Sequence, residues 1–277
     1  MSEFFLELFS EEIPANLQKN ARENLLQNFK DFFEKKNISF SKNLSFSTPN
    51  RLLILFEGIK PEIKQKEEEI RGPKIDAPEK ALDGFLRSNN LQKKDLYQKE
   101  NDKGTFYFVK NPPKTIKISE LLNENIPSIL DGISWKKSMK WGDFQLYWAR
   151  PLKSILAIFN NKNLLFQYHH LQSSNLTFVD KDFEDKKKSF NNFKLYIDYF
   201  KKFQIVIDQN KRKKFIELEL LKKSKRKNLT IEISDKLLNE VTDLVNKPNI
   251  LACKFDGKFL QIPKEILITT MQFHQKY

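Results

Sequence analysis

Ser138-Met139-Lys140-Trp141-Gly142-Asp143-Phe144-Gln145-Leu146-Tyr147-Trp148-Ala149-Arg150-Pro151-Leu152 holds two of the chain's three tryptophans and one of its seven glycines. Trp141-Gly142-Asp143 reads as a turn, residues 144–149 as a strand and residues 152–159 as a second, more apolar one. The proline between them supplies no ladder donor, so the two cannot run on as one central strand. The stretch marks a buried junction with little conformational slack, and the rest of the chain is read outward from it.

Upstream, Phe4-Phe5-Leu6-Glu7-Leu8-Phe9 is an apolar run ended by Ser10-Glu11-Glu12-Ile13-Pro14. It predicts a strand, then a tight turn into a helix with Pro14 near its first turn, where a missing N–H costs little. Leu17, Ala21, Leu25, Phe29, Phe32 and Phe33 follow at the three- and four-residue intervals of one buried helix face. Leu52-Leu53-Ile54-Leu55-Phe56 is continuously apolar, as suits a strand covered on both sides. Residues 60–74 turn polar, a solvated edge or linker punctuated by Arg71-Gly72-Pro73. A helix over 78–91 carries Ala81, Leu82, Phe85 and Leu86 on one face. Residues 105–109 read as a strand stopped at Asn111-Pro112-Pro113, and 118–133 as a helix that Pro127 should kink or divide.

Downstream, Asn160-Asn161-Lys162-Asn163 reads as a hairpin turn between strands at 155–159 and 164–168. Residues 172–190 are the least periodic and most charged, a boundary or mobile loop. A strand over 203–207 precedes a helix over 210–228 with Phe215, Leu218 and Leu221 inward and its lysines outward. A short helix over 237–245 leads to a hairpin over 250–262 turned by Asp256-Gly257. The fold class is α+β, a mixed α/β arrangement of sheets with packed helices. Two subdomains are expected: an α/β domain over 1–171 and a second α/β region over 172–277 that carries the basic helix.

At 277 residues, 39% hydrophobic and 31% charged, the chain can bury a large core, and no apolar run approaches the roughly 20 residues that span a bilayer. The start has neither a basic flank nor a small-residue cleavage site, so a cytoplasmic address is expected. Cys253 is the only cysteine, which forbids an intramolecular disulfide and suits a reducing compartment. Lys and Arg total 49 against 36 acidic residues, a net +13 that favours an anionic partner such as nucleic acid. Part of that surplus reflects amino-acid usage, since 25 phenylalanines accompany the lysines, asparagines and isoleucines typical of AT-rich coding.

The chemistry of a self-contained enzyme is missing from the sequence. Seven scattered glycines supply neither a Rossmann nor a Walker phosphate cradle. His169 and His170 are adjacent, which in a strand sends their rings to opposite faces, and His274 is distant, so no metal site is expected. Cys253 in an alternating apolar strand reads as a small core residue. The pairs Glu11-Glu12 and Asp182 with Asp185 are carboxylates of a kind common on surfaces. The basic runs are Lys211-Arg212-Lys213-Lys214 and Lys222-Lys223-Ser224-Lys225-Arg226-Lys227, with Lys186-Lys187-Lys188 ahead of them. They read either as a phosphate-binding surface or as a solvated helix face in a lysine-rich chain.

Five blocks in order resemble the β chain of bacterial heterotetrameric glycyl-tRNA synthetase. They are Leu6-Glu7-Leu8-Phe9-Ser10-Glu11-Glu12-Ile13-Pro14; Thr48-Pro49-Asn50-Arg51-Leu52; Arg71-Gly72-Pro73 with Ala81, Gly84 and Phe85; Met139-Lys140-Trp141-Gly142 with Arg150-Pro151; and the run from Glu240-Val241 and Pro248 through Lys254-Phe255, Phe259-Leu260 and Pro263-Lys264-Glu265 to Met271 and Gln275-Lys276-Tyr277. The chain departs from the family where a Gly-His-Arg-Phe element is usual, reading Ser173-Ser174-Asn175-Leu176-Thr177-Phe178 instead. The resemblance implies an amino-terminal fragment without the family's HD-type helical domain and anticodon-binding domain.

It further implies that the separate α chain handles ATP, Mg and glycine activation in an α2β2 assembly, while this chain binds tRNA(Gly) and supports glycyl transfer. No catalytic residue, cofactor or metal is then expected here, and the fragment alone should be inactive. The candidate tRNA-binding residues are Lys211, Arg212, Lys213, Lys214, Lys222, Lys223, Lys225, Arg226 and Lys227, and the motif positions Arg51, Arg71, Trp141 and Arg150 carry no assigned role. Two other readings stay open: a stand-alone RNA-binding or assembly module, and a hydrolase built on Glu11-Glu12.

Overall fold

A run of apolar residues interrupted by one carboxylate, Phe4 to Phe9, becomes the middle strand of the largest sheet. The computed structural model describes residues 2–65, 68–89, 91–101, 104–111, 114–179 and 186–276. In chain order the elements are β1 (Ser2–Ser10), α1 (Ala15–Lys35), β2 (Lys42–Thr48), β3 (Arg51–Ile59), β4 (Glu62–Gln65), β5 (Glu68–Lys74), α2 (Glu79–Asn89), β6 (Leu96–Asn101), β7 (Gly104–Asn111), β8 (Lys114–Lys117) and α3 (Ile118–Asp131). There follow β9 (Met139–Lys140), β10 (Tyr147–Trp148), β11 (Leu152–Phe159), β12 (Lys162–Asn163), β13 (Gln167–Tyr168), β14 (Leu171–Gln172), β15 (Leu176–Phe178), β16 (Lys187–Ser189), α4 (Phe193–Lys202), α5 (Gln209–Arg226), α6 (Asp235–Leu244) and α7 (Lys264–Thr269). The chain forms two compact units, one of residues 1–61 with 122–277 and the other of residues 62–121, so positions 171 and 172 fall in the same unit.

In the first unit an antiparallel sheet runs in the order β12-β11-β1-β3-β2. One face receives α1, whose Phe29 and Phe33 pack with Phe4 and Phe56. The other joins Phe5, Leu53, Leu55, Leu156 and Ile158 to Phe190, Tyr196, Phe200, Ile205 and Ile207. Both faces are covered, which is why β3 and β11 read as continuous apolar runs. Each fully buried Phe or Leu contributes roughly 1.5–3 kcal/mol relative to exposure.

Alternation puts Glu7 on the second of these faces, beside Phe5 and Phe9. It lies fully buried against Arg51, with Arg51 Nε 3.3 Å from Glu7 Oε2. Thr177 and Tyr196 donate their hydroxyls to the two Glu7 oxygens. Arg51 Nη2 donates to the Phe178 and Val179 carbonyls at 2.6 and 2.9 Å, and its guanidinium lies 4.7 Å from the Phe9 and Phe200 ring centroids. One ion pair thus fastens β15 and α4 onto the sheet.

The second unit contains the antiparallel sheet β5-β7-β6 and the pair β4 with β8. Of the polar stretch at 60–74, expected as a solvated edge or linker, Glu62–Gln65 and Glu68–Lys74 are edge strands. The Phe85 ring of α2 lies so close to Gly72 that a Cβ there would sit 3.0 Å from it.

Several expectations need correction. The strand at 144–149 shortens to β10, because Gly142, at φ 57°, turns only the pairs Met139–Trp148 and Lys140–Tyr147 into register. Residues 203–207 form no strand: Gln204 is left-handed at φ 61°, and Ile205 and Ile207 reach the core from a segment outside any sheet, whose Val206 N–H donates to Asn246 O at 2.8 Å. Asp256 caps a short 3-10 turn, Gly257–Gln261, in place of a hairpin, and Cys253 is exposed. His169 and His170 occupy the turn between β13 and β14, not a strand. Of the two outcomes expected at Pro127, a kink or a division, division does not occur: α3 runs through it, where burial of Leu122, Ile126, Ile129 and Leu130 offsets the lost hydrogen bond. The hairpin turn after β11 does form, with Asn160 and Asn161 both left-handed. Asn90, Pro112-Pro113, Asp182, Asp185 and Tyr277 lie outside the described residues.

Arg51→Met should lower the unfolding free energy in urea by about 3–5 kcal/mol, since it strands a buried carboxylate. Combined with Glu7→Leu, the double variant should lose less than the sum of the singles by more than about 1 kcal/mol. Additive losses would show that the pair does not couple.

Candidate nucleic-acid interface

Three separated sequence blocks meet at one end of the large sheet. Ser10 N–H donates to Asn50 O (2.8 Å), Glu11 N–H to Pro151 O (3.0 Å) and Ile13 N–H to Pro49 O (2.6 Å). Asn50 Nδ2 returns a bond to Ser10 O at 3.2 Å. Trp141 Nε1 donates to Trp148 O at 2.9 Å across the small hairpin, and Arg150 Nη1 to Ala149 O at 3.1 Å. The block residues are spent on main-chain junctions, and Arg51 on the buried pair with Glu7. Glu11 is ion-paired with Lys153 at the surface. Arg71 belongs to the second unit, where it lies over Phe106.

The basic runs sit on α5. Asp208 caps the helix, its Oδ1 accepting from the Asn210 and Lys211 amides. The inward stripe is Gln209, Arg212 and Ile216. Arg212 is fully buried: Nε donates to Thr242 O (2.7 Å), Nη1 to Val206 O (2.6 Å) and Ile207 O (3.3 Å), and Nη2 to Ser47 O (2.9 Å). Asp243 Oδ1 stands 3.7 Å from Nη2, and Arg22 lies 3.9 Å from the other Asp243 oxygen. Burial lowers the Arg212 pKa to about 10, with Asp243 opposing, so the group stays cationic at neutral pH. Burial also raises the Asp243 carboxyl, against Arg22 and Arg212. Arg212 is a strut that joins β2, α5 and α6, not a group offered to an external phosphate.

The other candidates differ in what holds them. Lys213 pairs with Asp235 at 3.3 Å, Lys222 with Glu219 at 3.1 Å, and Lys223 donates to Ile250 O. Lys211, Lys214, Lys222, Lys225, Arg226 and Lys227 are exposed. Phe215, Leu218 and Leu221, expected inside, are 45%, 55% and 39% exposed. Four-residue spacing puts Lys211 beside Phe215, Lys214 and Lys222 beside Leu218, and Lys225 beside Leu221. Cations and apolar side chains therefore share one solvent face, where the sequence suggested opposite faces. Periodicity favoured the apolar residues for the core because Arg212's partners, β2 and α6, are distant in sequence.

Ahead of α5, Lys187 stands over the Phe178 ring and Lys188 over Tyr199. Among the described residues no group of three or more His, Cys, Asp or Glu is placed to hold a metal ion, and no helix is long and apolar enough to cross a membrane.

A family model described as glycyl-tRNA synthetase beta subunit matches residues 4–277. The chain belongs to that family. Among similar curated proteins is a glycine–tRNA ligase beta subunit of Rickettsia felis, 38% identical over 279 residues. Those of Rickettsia peacockii and Rickettsia conorii are 39% and 38% identical over 277 residues. Each alignment covers all of this chain and 42% of the relative, so the chain spans less than half the length of these ligase subunits.

Arg212→Met should destabilise the chain by about 3–5 kcal/mol in urea, because four backbone carbonyls and Asp243 lose their donor. Lys214→Gln, on the solvent face, should stay within about 0.5 kcal/mol. Equal effects would contradict the buried placement of Arg212.

Proposed function

We propose that this chain is the part of a glycine–tRNA ligase β subunit that holds tRNA(Gly) while glycyl transfer takes place. The observation that carries the reading is the family match along residues 4–277. In this reading the α subunit, in an α2β2 assembly in the cytoplasm, takes ATP, Mg and glycine, and the chain described here contributes binding, not bond-making.

The solvent face of α5 is the surface proposed for RNA. Lys211, Lys214, Lys222, Lys225, Arg226 and Lys227 offer cations that phosphates reach through displaced counterions. Lys213 and Lys223 sit at its margins, and Arg212 holds the helix in place. Lysine is a point charge with little directional demand, so this face positions the nucleic acid without reading its sequence.

A second reading has its own observation. Phe215, Leu218 and Leu221 form an exposed apolar row among those lysines, as a helix does that docks another protein. An assembly role for α5, with the α subunit as the partner, would use the same face.

Replacing Lys211, Lys214, Lys222 and Lys225 together by Gln separates the two. For an RNA surface, tRNA affinity falls across tRNA sequences, and the slope of log affinity against log salt flattens by about 0.7–0.9 for each phosphate no longer neutralised. An unchanged slope, with circular dichroism confirming the fold, would refute the RNA reading.

A further inference from the structure

The β5-β7-β6 sheet of the second unit has two unlike faces. Strand alternation and register put Phe106, Phe108 and Lys110 of β7 on one face with Arg71, Glu69 and Lys74 of β5 and Tyr97 and Lys99 of β6. A bulge between Arg71 and Lys74 keeps both cations on that face. The centre of the face is aromatic, with Tyr97 and Phe108 centroids 6.1 Å apart. Cations lie over these rings: Arg71 is 3.6 Å from the Phe106 centroid, Lys99 Nζ 5.5 Å from that of Phe108 and Lys110 Nζ 5.9 Å from that of Tyr97.

The arrangement is organised before any ligand arrives. Tyr97 donates to one Glu69 oxygen at 2.5 Å and Lys99 to the other at 2.7 Å, and Lys74 pairs with Asp76 at 3.2 Å. Four cations, Arg71, Lys74, Lys99 and Lys110, stand against two carboxylates, Glu69 and Asp76, so the face is cationic. Arg71, Lys74, Lys99 and Lys110 are exposed, while Phe106 and Phe108 are buried beneath them. The exposed Arg71 thus carries its guanidinium over the buried Phe106 ring.

We propose that this sheet face binds unpaired RNA nucleotides, a base stacking on the Arg71 plane and on Tyr97 while Lys74, Lys99 and Lys110 meet the flanking phosphates. The chemistry favours single strands. A planar cation and a phenol ring on one sheet face match base faces, which a duplex hides. An acidic peptide would use the cations and leave the ring plane idle. The inference rests on the reading of this chain as a tRNA-binding subunit and adds a second surface, separate from α5, for the unpaired part of the RNA.

The test uses the 277-residue chain with two probes, a 12-nucleotide unstructured RNA and whole tRNA, binding being followed by fluorescence anisotropy. Tyr97→Leu should weaken the oligonucleotide at least about fivefold, the loss of one stacked base. Arg71→Lys, which keeps the charge and loses the plane, should weaken it similarly with an unchanged salt slope. The Gln variant of the four α5 lysines should spare the oligonucleotide and weaken tRNA. Wild-type affinity for the oligonucleotide in both sheet variants, or no oligonucleotide binding while tRNA binds, would overturn the sheet proposal and leave the α5 reading intact. Failure of both probes to bind would overturn both. Folding of each variant is checked by circular dichroism, and Arg71→Lys, at an exposed position, keeps the test decisive if Tyr97→Leu unfolds.

Discussion

The contact between Glu7 and Arg51 is the constraint on which the larger unit depends. Two charges, one within β1 and one at the start of the neighbouring β3, are fully excluded from water, where either one alone would cost several kcal/mol. Each therefore needs its complement of partners, and those partners are the elements laid over the sheet. Burial pushes the Glu7 carboxyl up, while Arg51, Thr177 and Tyr196 act against that shift. Burial likewise raises the Tyr196 phenol well above its ordinary value, so Tyr196 remains a donor at neutral pH. A carboxylate that demands Thr177 and Tyr196, and a guanidinium that demands the Phe178 and Val179 carbonyls, leave β15 and α4 only one place to go.

From α4 the same logic runs on to the basic helix. Tyr196 and Phe200 fix α4, Ile205 and Ile207 carry the following backbone into the core, and Asp208 starts α5 at once. Arg212 then closes the arrangement by tying Ser47 of β2 to Thr242 of α6. Both surfaces assigned to RNA thus rest on cations whose neighbours serve structure. In α5 one arginine is spent inward so that the lysines around it face out, and in the small sheet the buried Phe106 lies under the Arg71 guanidinium.

Much of this was legible in the sequence wherever a residue's partners were close in the chain or the pattern was strong. The apolar rows of β1, α1 and β3, the Asn160-Asn161 turn and the family resemblance were all readable from residues. Arg212 was not: a cation within a basic run looks solvent-facing until the carbonyls of β2 and α6 are brought to it. The turn signal Asp256-Gly257 misled because a hairpin needs two strands that pair, and here Leu251, Phe255, Phe259 and Leu260 are exposed on either side of it. Nor was the placement of Arg71 readable, because its aromatic partner lies on β7, across a sheet whose edge strand read as a solvated edge or linker.

The central claim is that the solvent face of α5 meets tRNA. Lysine acetylation followed by mass spectrometry, with and without bound tRNA, tests it residue by residue. The expected result is slower acetylation at Lys211, Lys214, Lys222 and Lys225, with Lys35 at the end of α1 unchanged. Equal rates at the four α5 lysines with tRNA bound, or protection confined to lysines elsewhere, would contradict the account.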